Sequence, residues 1–137
     1  MKTFKIIKAT ALSLVLWFAN GIAFAQSYEY DKQTTIEGIL ISSTAEPEIT
    51  YDEKPHQFPS LKLLKPISVL CATATKETDS CQPEIGVTLL HLVLKEKQMK
   101  QFKKLKGKTV KLSGNLFHSD NGHHFTSVLL DVESINP

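Results

Sequence analysis

The sequence predicts a mainly β domain: a small five-stranded OB-like Greek-key barrel of order β-β-β-α-β-β, with one short amphipathic helix between strands three and four. Three observations predict it. Five runs of β-branched and apolar residues have strand length. The hydrophobic period changes once, over residues 95–105. A turn signal, Ser119-Asp120-Asn121-Gly122, joins the last two runs. The length of 137 residues fits one core, not two. A small open antiparallel sheet crossed by one helix is the other arrangement this order allows.

The first strand is read over residues 34–43, with Gly38 inside it marking a bend or bulge. Residues 44–57 break the pattern. Pro47 and Pro55 and the acids Glu46, Glu48, Asp52 and Glu53 make a long exposed loop. The second strand covers 60–71, and Pro66 places it near an edge or a bulge because proline cannot donate to a ladder. The third, 85–94, is strongly apolar, and its His91 reads as a satisfied core or edge histidine.

Over 95–105, Met99, Phe102 and Leu105 recur at spacing three while Lys fills the remainder, which is an amphipathic helix stopped near Gly107. Strands at 108–118 and 123–135 follow. Matching the apolar faces Val110, Leu112, Leu116 and Val128, Leu130, Val132 needs an odd-length connection, since strand periodicity is two. A three-residue loop, Asp120-Asn121-Gly122, satisfies that rule, with Gly122 in the left-handed position. It would set His118 and His124 across from each other at inward parity, with His123 pointing out.

Residues 1–25 read as a cleaved signal peptide. Lys2, Lys5 and Lys8 precede an apolar run, and Ala23-Phe24-Ala25 is the small-x-small cleavage pattern. The run is too short to span a bilayer. The expected location is therefore periplasmic or secreted. Residues 26–33 are polar and read as a flexible lead-in, leaving 34–137 as a single OB-like domain. Three Lys and no acid leave with the signal, which turns the formal charge of +2 into −1. Cys71 and Cys81, an even pair in an exported chain, predict a structural disulfide. Closing that short loop is worth about 2.5–3 kcal/mol by chain entropy, and the C-x9-C spacing is not that of a redox pair.

Composition excludes some functions. Hydrophobic residues at 42% and charged residues at 22% are globular values, not those of a highly charged disordered chain. All 16 basic residues are Lys. Without Arg there is no planar fork for phosphates or base edges, and strands two and three offer few aromatics for stacking, which weighs against nucleic acid as a partner. Eight Lys over 95–111 stand against one acid, Glu96. They read as a solvated face, with anionic lipid or polysaccharide favoured over nucleic acid as its partner. No G-x-S-x-G elbow, H-E-x-x-H helix or Gly-rich phosphate loop occurs, which weighs against an enzyme.

The candidate site is the turn crowded with His118, His123 and His124, with Asp120 between them and the acidic loop carrying Glu48, Asp52 and His56 converging on it. Imidazoles on facing strands can share a divalent transition metal, with His118 and His124 as ligands, although H-x4-H-H is not an established ligand spacing. The alternative is that these rings cap a hairpin through hydrogen bonds.

Gly114-Asn115-Leu116-Phe117-His118 and 122–130, beginning Gly122-His123-His124-Phe125, resemble the hallmark of DUF4431, an exported bacterial family of unknown function. Its pattern is G-x-L-F-H-x-x-T-G-H-H-H-T-P-V-L. Phe58-Pro59-Ser60-Leu61 and Lys65-Pro66-Ile67 resemble its earlier stretches. Asn121 replaces Thr, Phe125 a third His and Ser127 Pro, so one imagined metal ligand is absent. The resemblance implies export and a small β domain, and it implies no activity. The expected function is thus an exported binding module that holds a protein, peptide, glycan or ion between the acidic loop and the His hairpin. The alternatives are a metal-binding protein or metal-dependent enzyme using His118 and His124, and an immunity or inhibitor protein against an envelope-acting toxin.

Overall fold

In a computed structural model, which describes residues 26–72 and 81–137, the β-branched and apolar runs form β2 (Gln33–Ala45), β3 (His56–Leu70), β4 (Glu84–Val93), β5 (Thr109–His118) and β6 (Val128–Asn136), and a polar segment forms β1 (Gln26–Glu29). The helix α1 (Glu96–Leu105) lies between β4 and β5, and a 3-10 turn, Pro47–Ile49, follows β2. The expected signal peptide 1–25 and the interior of the expected disulfide loop fall outside the described residues. Cys71 and Cys81 are joined, as their even count and spacing predict.

The strands make one mixed six-stranded sheet. β2 pairs antiparallel with β3 and β5, β3 with β4, and β5 with β6, while β4 and β6 run parallel. The ladders of β2, β3, β4, β6 and β5 therefore return to β2. Residues such as Leu40, Leu61, Leu90, Leu112 and Leu130 are fully buried on the shared inner face. Each such side chain contributes about 1.5–3 kcal/mol of burial.

Gly38 is where β2 passes from one partner to the other, facing Leu63 on β3 and Val110 on β5. A Cβ there would lie 2.6 Å from the Lys62 carbonyl oxygen, so close strand approach, not a bulge, requires the glycine. Pro66 falls in the interruption of the β3–β4 ladder between Lys62 and Ile67, where no donor is needed.

Three expectations are corrected. The segment 26–33, expected as a flexible lead-in, supplies a sixth strand. β2 pairs with β3 only as far as Leu63, and β1 takes up the backbone groups of β3 from Ile67 to Leu70 in a parallel ladder. Tyr30 then enters the core at 5% exposure. Second, the β5–β6 connection is not the three-residue loop Asp120-Asn121-Gly122. It runs over residues 119–127, closed by Ser119 N donating to the Ser127 carbonyl at 2.9 Å. The connection is still odd in length, so the apolar faces match, with Leu116 opposite Leu130. Third, Gly122 is not left-handed; among the described glycines only Gly86 and Gly107 have positive φ.

On α1, Phe102 is buried and Met99 and Leu105 pack against the core, as their spacing predicts. Gln98 is the unexpected member of this face. Its Oε1 accepts from Lys95 N at 2.8 Å, and its Nε2 donates to the carbonyls of Val132 (2.8 Å) and Glu133 (3.1 Å). A buried amide with these three bonds both caps the helix and ties it to β6.

Candidate functional site

Strand alternation sends neighbouring side chains to opposite faces. Leu61, Leu90, Leu116 and Leu130 point into the core, so Ser60, His91, Phe117 and Leu129 point away from it. On that outer face, Phe58 and His56 continue the parity of Ser60 along β3. Phe58 and Leu129 are buried there, yet they are not part of the main core cluster. They floor a second assembly made largely of rings.

His91 is its pivot. Its imidazole stacks on Phe125 with 7° between planes and centroids 5.5 Å apart, and it lies 4.8 Å from Phe58 and 6.4 Å from His124. His91 Nδ1 accepts from the Phe125 backbone N–H at 3.3 Å, and His91 N donates to the Thr126 hydroxyl at 3.0 Å. The 119–127 connection is thus fastened to β4 through one residue. Burial, with the neighbouring His124 charge second, pushes the His91 imidazole down to about 4. The expectation of a satisfied histidine describes its hydrogen bonding and misses its place in the site.

From the acidic loop come Tyr51 and His56. His56 stacks on Phe125 at 15° with centroids 5.7 Å apart, and Tyr51 lies 4.3 Å from His123 and 5.4 Å from His56. Gly122 packs against Tyr51, whose Cβ would stand 3.1 Å from a Cβ on the glycine. Phe117 meets His124 edge-on at 5.4 Å. Tyr51 and His123 are exposed, and the other rings except Phe58 are half-buried.

Carboxylates hold two of the imidazoles. Asp52 Oδ1 lies 2.7 Å from His56 Nε2, and this hydrogen bond is the main reason the Asp52 carboxyl is held below its ordinary value. His124 Nδ1 lies 3.1 Å from Asp120 Oδ1 and 3.2 Å from the Asp120 backbone N. Asn121 braces the turn: its Oδ1 accepts from His123 N at 2.9 Å, and its Nδ2 donates to Asp120 Oδ1 at 2.8 Å. Glu46, Glu48 and Glu53 are exposed on the adjacent loop.

The structure therefore brings together His123, His124, Asp120, His56 and Asp52, sets Glu48 outside the ring contacts, and sends His118 elsewhere. His118 stands opposite Val128, not His124. One residue after Phe117, it turns to the inner parity, where its Nε2 lies 3.0 Å from Glu84 Oε1 and its Nδ1 3.0 Å from the Ser119 carbonyl oxygen. Tyr30 approaches His118 edge-on at 6.2 Å, and its hydroxyl donates to the Gln82 carbonyl at 2.9 Å. Burial and the Glu84 charge push the Tyr30 phenol up to about 12. The expected placement of His118 across from His124 is corrected accordingly: the longer connection separates the two. Among the described residues no group of three His, Cys, Asp or Glu is arranged to hold a metal ion.

Sequence reasoning missed Tyr51, Phe58, Phe117, Phe125 and the role of His91. The available signal was aromatic: Tyr51 is the one aromatic ring in the acidic loop 46–55, and Phe58 and Phe125 each sit within two residues of a histidine.

No curated protein and no solved structure matches the chain. The family model described as a domain of unknown function (DUF4431) matches residues 89–136, from within β4 to the end of β6, and this is the family that the G-x-L-F-H and G-H-H stretches resemble.

Proposed function

We propose that the chain is an exported binding module of the OB type that holds a glycan on the outer ring face. The OB reading is supported by the returning ladders of β2, β3, β4, β6 and β5, by the parallel β4–β6 pair, and by the place of α1 between β4 and β5. In such folds the face of the second and third strands, with the loops after the first and fourth, takes oligonucleotides and oligosaccharides. Here those parts correspond to β3, β4 and the connections 46–55 and 119–127, which carry the rings.

The single observation behind the function is the convergence of Tyr51, His56, His123 and Phe125 from two distant connections onto one surface. Flat ring faces stack on the apolar faces of sugars, and the carboxylates and amide beside them bond hydroxyls. The acidic rim of Glu46, Glu48, Asp52, Glu53 and Asp120 repels a phosphate backbone, which favours a glycan over an oligonucleotide. The test is a screen of envelope-type oligosaccharides with single-stranded oligonucleotides alongside. Saturable glycan binding that is lost in Tyr51→Ala supports the reading; binding that Tyr51→Ala and His123→Ala leave unchanged refutes it.

A protein partner is the second reading. It is favoured by Ile49 and Tyr51, which are 56% and 58% exposed on the same loop, a concentration of apolar surface typical of an interface anchor. Cross-linking that depends on Ile49 but is insensitive to added glycan would select it.

A further inference from the structure

The helix α1 divides its side chains by chemistry. Gln98, Met99, Phe102 and Leu105 face the core and β6. At 100° per residue, Lys97, Lys100, Lys103 and Lys104 fall together on the opposite arc, and all four are exposed. Lys95, Lys106, Lys108 and Lys111 flank the helix in sequence and are exposed as well. The turn after the helix is held in place, since Gly107 N donates to the Leu40 carbonyl at 2.7 Å and Leu40 N to the Lys108 carbonyl at 3.1 Å. The basic surface therefore has a fixed backbone.

Little within the molecule balances these charges. Glu96 pairs with Lys100 at 3.2 Å, and Glu37 is the cross-strand neighbour of Lys111. Among the described residues no ion pair engages the other six. Lys103 and Lys104 in the last turn favour the helix dipole, but Lys97 in the first turn opposes it. Lys97, Lys100 and Lys104 stand one turn apart as like charges, which costs helix stability. Packing within the chain leaves these charges to solvent or to a negatively charged partner.

We propose that this face docks the protein onto an anionic lipid surface. The arc is nearly all lysine, with no exposed apolar residue to insert, so the contact is electrostatic and lies at the headgroups. Ammonium groups on flexible stems suit mobile headgroups better than a fixed anion that needs a planar fork.

The test is sedimentation of the protein with phosphatidylcholine vesicles containing about one third phosphatidylglycerol, against pure phosphatidylcholine and against heparin as a soluble polyanion. The expected result is binding to the anionic vesicles alone. It should fall steeply with salt and drop at least about tenfold in Lys97→Glu/Lys100→Glu/Lys104→Glu. The corresponding Lys→Arg variant, which keeps the charge, should bind as the parent does, and equal melting temperatures establish that all variants are folded. Equal binding to neutral vesicles, full binding by the charge-reversed variant, or binding to heparin without binding to vesicles overturns the proposal. None of these outcomes bears on the ring face, whose residues the variants do not touch.

Discussion

The rings of Tyr51 and His123 lie 4.3 Å apart, tilted by 50°, and join two connections that no backbone ladder links directly. Gly122 packs beside Tyr51 at this contact, where a Cβ would stand 3.1 Å from the Tyr51 Cβ. Because both rings remain exposed, the pair contributes more to a binding surface than to the fold.

Alanine at Tyr51 or His123 should accordingly change unfolding free energy by less than about 1 kcal/mol, as expected of an exposed aromatic pair. Denaturant titration measures the stability, and the two losses should be less than additive because the residues share one contact.

His91 gives the stability a pH dependence. Its imidazole is held at about 4 in the folded chain, against an ordinary value of 6.5. The unfolded chain binds the extra proton between these values, so stability is full above about pH 6.5 and declines as pH falls toward 4. Because the ring is only half-buried, about 2 kcal/mol is expected from this group. In His91→Phe the slope over that window should flatten. Protonation also removes the acceptor for the Phe125 N–H, so amide exchange in residues 119–127 should accelerate over the same range.

His118 is expected to behave differently from its neighbours in sequence. Its contacts with Glu84 and the Ser119 carbonyl link the end of β5 to the start of β4, beside Tyr30. His118→Ala should lower stability by about 1–2 kcal/mol while leaving ligand binding intact. A parallel loss in Glu84→Ala, with non-additivity in the double variant, would identify the pair as the cause.

Gly114 begins the G-x-L-F-H stretch for a steric reason. It sits at the register shift of the β5–β6 ladder, and a Cβ there would overlap the Asp131 carbonyl oxygen. Gly114→Ala should cost about 3 kcal/mol in a thermal or denaturant melt, because backbone and not a flexible side chain must yield.

How far the sequence foretold this molecule follows from what kind of information each element needs. Local periodicity located the strands and the helix to within a few residues, and parity alone required an odd β5–β6 connection. The length of that connection was not legible, because Asp120-Asn121-Gly122 satisfies hairpin chemistry locally while Phe125 and Thr126 are drawn away by His91 on another strand. The same long-range contact separated His118 from His124. β1 was missed because its four residues are held by the edge of β3 that β2 leaves free beyond Leu63, not by any pattern of their own. The convergence of the acidic loop on the His-rich turn was foreseen. Its aromatic content was not, because the face of the sheet on which Phe58 and Phe125 lie is set by long-range pairing.

The central claim is that the outer ring face is the binding site, and backbone amide chemical-shift mapping with a bound oligosaccharide tests it most directly. The account predicts shifts confined to residues 46–56, His91 and residues 119–127. Shifts confined to the depression beside β1, lined by Ser27, Glu29, Lys32 and Gln33, or to α1, would contradict it.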